Sequence, residues 1–284
     1  MIDLHIHSIH SDGTKTPSDL LNLAKEKNIK ILAITDHDDI EGSKRIIETP
    51  HEGITIYSGV ELNAKVDKGQ MHILGYNIDL ENKELNDKLI ELKENSKHNI
   101  MLYVNQLKED YNIEFPQEDI DKILNREGNI GRPLLALLLI KYGYINSVPE
   151  AFDEYLNDKK VRQHKMWITK EECIKLIINA GGIPVLAHPF TLKLTNEELK
   201  EEIKYLISLG LKGIEIVHSK SNNEQREYYK ELASEFNLLT TGGTDYHGPE
   251  VKPNIELGTG IDNNVNISDK DITLIDSIVS RYQM

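Results

Sequence analysis

Seven of the eleven histidines lie in short segments that also carry carboxylates, and most of these segments close a run of β-forming residues. In chain order they are His5-Ile6-His7 with Asp12, Asp36-His37, Glu61, His72, His188, Glu215 with His218, and Asp245-Tyr246-His247. A fold for this chain must bring strand ends that are far apart in sequence to one place. Imidazole and carboxylate are the common ligands of first-row divalent metals. So many of them, so placed, read as a site for two or three ions. The single cysteine, Cys173, excludes an internal disulfide and sulfur-rich ligation. A polynuclear site without sulfur points to hydrolysis, of phosphate esters above all.

The patterning between these segments predicts an α/β architecture. Strands are expected over 2–5, 31–35, 54–60, 72–76, 184–187, 213–217 and 239–242, with helical patterns between most of them. The helix over 17–27 opens on Thr16-Pro17 and repeats apolar residues at Leu20, Leu21, Leu23 and Ala24. A helix over 170–180 stops at Gly181-Gly182, and one over 196–209 stops at Gly210. A further helix over 223–236 precedes the last strand. Strands alternating with helices predict parallel strands joined by right-handed crossovers. Seven strands with polar C-terminal ends suggest a barrel, whose sites gather at that face.

One stretch interrupts the alternation. Residues 79–165 show no strand pattern and predict helices over 84–111, 115–124, 132–142 and 147–156. They read as a helical insertion between the fourth and fifth strands, dividing the barrel into 1–78 and 166–284. The insertion either caps the barrel mouth and selects substrate, or serves only as a supporting bundle. The tail from Asp262 is polar and ends in a short helix.

At 284 residues the chain suits one large domain, or a domain with an insertion. A net charge of -14 argues against duplex nucleic acid as a partner, because its phosphates call for Lys and Arg. No apolar run approaches the ~20 residues of a membrane span. The start, MIDLHIHS, lacks the basic residues and apolar core of a signal peptide. A cytoplasmic enzyme with no membrane partner is expected.

Alternate strand residues share a face, so His5 and His7 can grip one ion. The turn Ser11-Asp12-Gly13 can bring Asp12 back to the same mouth. His37, His188, Asp245 and His247 end or follow other strands, and Glu61 could bridge two ions with its two oxygens. His10, His51, His98 and His164 are expected at the surface, with His10 and His164 the two that could approach substrate.

These residues resemble the PHP (polymerase and histidinol phosphatase) superfamily. Asp3-Leu4-His5-Ile6-His7-Ser8 with Ser11-Asp12-Gly13, Thr35-Asp36-His37-Asp38, Gly59-Val60-Glu61, Ala187-His188-Pro189 and Gly243-Thr244-Asp245-Tyr246-His247 carry the resemblance, in family order along the chain. It implies a distorted (β/α)7 barrel holding up to three metals, commonly manganese, iron or zinc. It also implies a ligand partition. His5, His7, Glu61 and Asp245 would hold one ion, Glu61 with His72 and His188 a second, and Asp12, His37 and His247 a third.

Other segments narrow the resemblance. Ile130-Gly131-Arg132-Pro133, Ala180-Gly181-Gly182, Gly213-Ile214-Glu215 and Glu224-Gln225-Arg226 are similar to the tryptophan-operon-linked PHP phosphoesterases. That group includes nucleoside 3′,5′-bisphosphate phosphatases and 5′→3′ exoribonucleases of short RNA. The resemblance implies that Arg132 and His218 contact substrate phosphate. Leu134 stands where the group has histidine, and 159–163 departs from the group's Pro- and Tyr-containing segment.

The expected chemistry is attack on phosphorus by a metal-bridging hydroxide. His218 would protonate the leaving oxygen. Arg132 would clamp a phosphate, or else serve as a helix-cap or salt-bridge arginine. Asp36 and Glu215 would orient metal-bound histidines or water, or act as plain structural acids. The small phosphorylated substrate would be a nucleotide or short RNA, the cofactor two or three divalent ions, manganese foremost. Another small monoester such as histidinol phosphate, or a non-catalytic metal-binding module, are the alternatives.

Overall fold

The computed structural model describes residues 1–156, 166–268 and 271–282, and its strands form two sheets. In the first, β1 (Ile2–Ile6), β2 (Ile31–Ile34) and β3 (Thr55–Ile56) run parallel in that order. In the second, β4 (Gly59–Ala64), β5 (Met71–Tyr76), β6 (Ile183–Leu186), β7 (Gly213–His218) and β8 (Leu239–Gly243) are neighbours in chain order. The expected strand over 54–60 is divided at Tyr57-Ser58 between β3 and the start of β4, which gives eight strands among the described residues where seven are expected.

The strands are also not all parallel. β5 pairs antiparallel with both β4 and β6, while β6, β7 and β8 run parallel. The connection over 65–70 explains this: a parallel crossover needs roughly a dozen residues or more, whereas a hairpin needs only a few. The reversal matters for the site. His72 opens its strand, yet it lies opposite Asn63, near the C-terminal end of β4. An antiparallel strand thus delivers a histidine from its first turn to the edge that its neighbours reach with their last.

Backbone hydrogen bonds join the two sheets at both seams. His7 N–H donates to the Tyr246 carbonyl and Asp245 N–H to the His5 carbonyl, each at 2.8 Å, tying β1 to the end of β8. Glu61 N–H donates to the Asp36 carbonyl (3.0 Å) and Asp38 N–H to the Glu61 carbonyl (2.9 Å), tying the end of β2 to β4. A Cβ at Gly243 would lie 2.4 Å from His5 Cβ, so only glycine lets β8 approach β1 this closely. The result is a mixed α/β fold whose seams meet at the segments richest in histidine.

The helices obey local rules. α1 (Pro17–Glu26) begins with a capping box between Thr16 and Asp19 and buries Leu20, Leu21 and Ala24. α2 (Glu41–Glu48) has no side-chain cap and only eight residues, too weak a pattern to read from the sequence. The stretch after β5 forms α3 (Lys83–Tyr111), α4 (Gln117–Leu124), α5 (Arg132–Lys141) and α6 (Val148–Glu154). The first turns of α3 bury Leu85, Leu89 and Leu92 in the core shared with the second sheet. Farther along, Ile100, Tyr103 and Leu107 pack with Leu135, Leu139 and Ala151 in a separate apolar core. Where the chain returns, Met166 N–H donates to Asn95 Oδ1 of α3 at 2.6 Å. His164 and the segment 159–163 lie outside the described residues.

α7 (Lys170–Asn179) and α8 (Asn196–Leu209) open on capping boxes at Thr169 and Thr195. α8 ends at Gly210, in a left-handed conformation with φ +112°. α9 (Asn223–Phe236) and α10 (Leu274–Tyr282) complete the order. Among the described residues no helix is long and apolar enough to cross a membrane.

Candidate metal centre

All nine sequence-predicted ligands converge at one end of the strands. Their candidate ligand atoms fall into four overlapping groups: His7, Asp12, His37 and His247; His5, His7 and Asp245; His5, Glu61 and His188; and His37, Glu61 and His72. Within each group these atoms lie within 4.8 Å of one another. His72 and His188 fall in different groups, each with Glu61, although their rings are only 4.9 Å apart.

Glu61 sits at the middle and is fully buried. Its Oε2 faces His5 Nε2 (3.2 Å), His7 Nε2 (3.1 Å) and His37 Nδ1 (3.1 Å). Its Oε1 faces His72 Nδ1 (2.8 Å) and His188 Nε2 (2.9 Å). Burial opposes its ionisation, but the fields of His37, His5 and His72 and a hydrogen bond from His188 hold its pKa well below the ordinary carboxylate range. Asp12 and Asp245 are likewise held low against burial, Asp12 by His247 and His37, Asp245 by Lys252 and His247.

The donor set fits divalent cations. Three ionised carboxylates and six imidazoles face one another, without sulfur. The His7 and His37 rings are 4.5 Å apart and those of His7 and His247 only 4.0 Å. His7 Nε2 and His37 Nδ1 are buried and enter no hydrogen bond, although each is 3.1 Å from Glu61. Buried nitrogens aimed at a shared carboxylate in this way are what cations would satisfy.

The backbone is shaped to the same end. His188 (φ +24°) and Asp245 (φ +56°) adopt positive φ. Such conformations cost about 1–3 kcal/mol each and persist where the surroundings over-determine them.

Supporting contacts fix the ligand rings. Glu215 Oε1 accepts from His5 Nδ1 at 2.9 Å, which turns Nε2 toward the centre, while its Oε2 accepts from the His188 backbone N–H at 2.7 Å. Carboxylate behind histidine is the usual way to set a ligand's tautomer and orientation. Asp36 acts at one further remove. It accepts from Ser8 N–H (2.7 Å), Ser8 Oγ (2.6 Å) and Ser11 Oγ (2.6 Å), and Ser11 Oγ in turn lies 3.3 Å from His7 Nδ1.

His218 lies beside the cluster with its Nε2 3.2 Å from Asp245 Oδ2. The backbone N–H of Lys220 donates to its Nδ1 at 2.9 Å. Nδ1 is therefore the acceptor, and the neutral ring carries its proton on Nε2. Burial lowers its pKa, outweighing Asp245 and Glu215.

A cavity of about 930 Å³ opens over the cluster. Arg132 lines it from α5, its Nη1 donating to the Leu156 carbonyl (2.8 Å) and its guanidinium 4.9 Å from the Phe152 ring centroid. Tyr103, Phe152 and Trp167 add aromatic rings to the lining.

With this arrangement, the comparison with known families is decisive: the PHP domain matches residues 3–216. The chain belongs to the PHP domain family. The 5′-3′ exoribonuclease Rnm of Escherichia coli is 30% identical over 260 residues, spanning 90% of this chain and 87% of that protein. A 3′,5′-nucleoside bisphosphate phosphatase of Chromobacterium violaceum is 26% identical over 250 residues, 87% of each chain. A crystal structure of a Bifidobacterium adolescentis protein, described as a candidate metal-dependent phosphoesterase, superposes with a TM-score of 0.83 at 27% identity, covering 99% of this chain and 96% of that one.

Several residues that support this centre are given no role by the sequence. Asp3 accepts from the Thr244 N–H (2.9 Å), Thr244 Oγ1 (2.6 Å) and Gly258 N–H (2.8 Å), pinning β1 to the segments after β8. Thr191 Oγ1 lies 3.0 Å from His188 Nδ1. Ser8, Ser11 and Thr191 are too common a residue type to stand out. Asp3 could have been suspected, as an acid inside an apolar strand. His10, expected at the surface, is only 3% exposed, because the loop between α4 and α5 covers it. Asn129 N–H of that loop donates to the His10 carbonyl (2.5 Å), and Asn129 Nδ2 to the carbonyl of His37 (2.9 Å). His98 is exposed as expected and His51 is half-buried.

Proposed function

We propose that this PHP protein hydrolyses phosphate esters of small nucleotides, with nucleoside 3′,5′-bisphosphates and the 5′ ends of short RNA as its substrate class. The observation that carries this reading is the nine-ligand cluster at the floor of a cavity whose walls bear Arg132, His218 and aromatic rings. The relatives named for an exoribonuclease and for a bisphosphate phosphatase cover nearly the whole chain and support it.

We read the two sheets, joined at both seams, as one distorted barrel built from residues 1–78 and 166–284. Of the expected insertion 79–165, the described residues 79–156 then form a lid that shapes the substrate space. His5, His7, Asp12, His37, Glu61, His72, His188, Asp245 and His247 would hold two or three divalent ions, manganese foremost, with iron or zinc as alternatives. Bound there, such ions neutralise a phosphate dianion, lower the pKa of water and stabilise charge on phosphoryl oxygens.

The protein's own residues do the rest. Arg132 is already held by the Leu156 carbonyl and the Phe152 face, so a phosphate oxygen meets a guanidinium in a fixed orientation. Tyr103, Phe152 and Trp167 offer apolar faces suited to a nucleoside. His218, neutral with its proton on Nε2, presents a hydrogen-bond donor to a phosphoryl or leaving oxygen. Glu215 and Asp36 keep the ligand rings in register, directly for His5 and through Ser11 for His7. Duplex nucleic acid is not a partner in this reading, because the chain carries a net charge of -14.

Phosphate release from adenosine 3′,5′-bisphosphate by the manganese-reconstituted protein tests this, with histidinol phosphate alongside. Efficient turnover of the bisphosphate is expected. Turnover of histidinol phosphate alone would replace the nucleotide reading, and no turnover of any phosphoester in a broad panel would sink it.

A further inference from the structure

Arg226 stands in the first turn of α9, outside the lining of the cavity. The chain carries 47 acidic residues, yet among the described residues none forms an ion pair with this arginine. The half-buried guanidinium turns its donors to two backbone carbonyls and a hydroxyl instead. Nε donates to Ser221 Oγ (3.0 Å), Nη1 to the Asn264 carbonyl (2.7 Å) and Nη2 to the His218 carbonyl (2.8 Å). An arginine partly withdrawn from water without a counter-ion is held for the fork of its donors, which lysine lacks.

The fork grips the turn that follows β7. Ser221 N–H (3.1 Å) and Ser221 Oγ (2.9 Å) both donate to the His218 carbonyl, and the His218 N–H donates to Ser221 Oγ (3.2 Å). Arg226 binds that same carbonyl and that same hydroxyl, so both ends of the turn are fastened to α9. Asn264 closes the other side. Its Nδ2 donates to the Ser219 carbonyl (2.6 Å), and Ser219 Oγ donates to the Thr244 carbonyl (2.6 Å).

The chemical consequence lies at the imidazole. The turn carries the Lys220 N–H to His218 Nδ1 at 2.9 Å, which leaves the proton of the neutral ring on Nε2, toward Asp245. Were the turn to shift, either nitrogen could carry the proton, and a ring protonated on Nδ1 alone cannot donate from Nε2.

We infer that Arg226 is a positioning residue for His218: by clamping the turn 218–221 it keeps Nε2 a hydrogen-bond donor for the phosphoryl or leaving oxygen. This rests on the role proposed above for His218. Arg226 does not line the cavity, so it acts through the turn alone.

Two measurements on the full chain test this. In the zinc-loaded, diamagnetic protein above neutral pH, long-range proton–nitrogen NMR shows which ring nitrogen of His218 is protonated, the signal being assigned by its absence from His218→Gln. Wild type should show the Nε2–H form alone. Arg226→Gln should show a mixture of tautomers, and Arg226→Lys nearly the same mixture, because an ammonium does not reproduce the fork. In the manganese-loaded protein, kcat for adenosine 3′,5′-bisphosphate should fall roughly ten-fold in Arg226→Gln, part of the about 10²–10³ that loss of one preorganised donor costs. KM and bound manganese should change little. Lower thermal stability with the Nε2–H form intact would overturn the inference, and so would an unchanged kcat.

Ser221→Ala gives a second route should Arg226→Gln not fold. It removes the hydroxyl shared by Arg226 Nε and the His218 N–H, and should shift the tautomer the same way by a smaller amount. An unchanged tautomer there would also overturn the inference. Failure of the parent reading is distinct: if the wild-type protein cleaves no phosphoester, the phosphatase reading falls, while the NMR signal still decides whether Arg226 sets the His218 proton.

Discussion

The histidine-rich strand ends and the helical stretch α3–α6 are built on opposite principles. At the strand ends buried carboxylates are held by polar partners: Asp3 by Thr244 and Gly258, Asp36 by Ser8 and Ser11, Glu215 by His5 and His188. A change there leaves a buried partner unpaired, which typically costs about 1–3 kcal/mol. The helical stretch packs around its own apolar cluster of Ile100, Leu107, Leu135 and Leu139. Apolar cores tolerate substitution as long as volume is kept. The difference sets a region held by paired polar groups against one held by apolar packing. Leu134 falls in the helical stretch, partly buried against its apolar cluster.

If the comparison holds, removing metal should damage the two regions unequally. Chelation with EDTA is expected to abolish phosphate release, and manganese to restore it. Amide exchange should rise around β1, β4 and the segment after β8, where only cations would offset the crowded histidines and carboxylates, and stay unchanged in α4 and α5. Equal loss of protection in both regions would break the comparison. Glu61→Gln comes next in size. It removes the charge that five histidines face, so kcat should fall by at least about a hundred-fold and bound metal should drop. Full metal content with near-normal kcat would remove Glu61 from the centre. Arg132→Ala should act through the other region. KM for phosphorylated substrate should rise roughly ten-fold with metal content unchanged, and Arg132→Lys should recover little, since lysine lacks the paired donors.

The same division decides what could be read from the sequence. The candidate ligands could be picked out because histidine and carboxylate recur at strand ends, and His5, His7, Asp12, His37, Glu61, His72, His188, Asp245 and His247 do meet. The long helices were legible from apolar period and caps, with bounds that match the expected ones at 196–209 and 223–236 and elsewhere within two residues. The strand directions were not read correctly. A continuous β-type run over 54–60 hid the break before Gly59, and the antiparallel course of β5 is set by the short connection 65–70 rather than by residue pattern. His10 was misjudged because burial by a loop from a distant segment leaves no local trace. Lys252 gave no signal either, since its partner Asp245 is visible only once β8 and the loop after it are placed.

The smallest effect expected is also the one that probes how the two regions communicate. Their contact near the centre is the loop between α4 and α5. Arg126 donates to the Ile9 carbonyl, and Asn129 bonds the carbonyls of His10 and His37. A Cβ at Gly128, where φ is +88°, would lie 2.2 Å from the His10 carbonyl oxygen, so the loop rests directly on the segment after β1. Three residues past Asn129 comes Arg132. Asn129→Ala removes the donor to His37 while leaving the apolar core of the helices intact. The loss of one such bond is worth about 1 kcal/mol. Activity should therefore fall about three- to ten-fold, divided between a higher KM and weaker manganese binding, because one side chain supports both His37 and the approach to Arg132. A change in KM alone would mean that the loop positions only the substrate arginine. A change in metal affinity alone would mean that it belongs to the metal centre, and that the helical stretch is the more independent of the two regions.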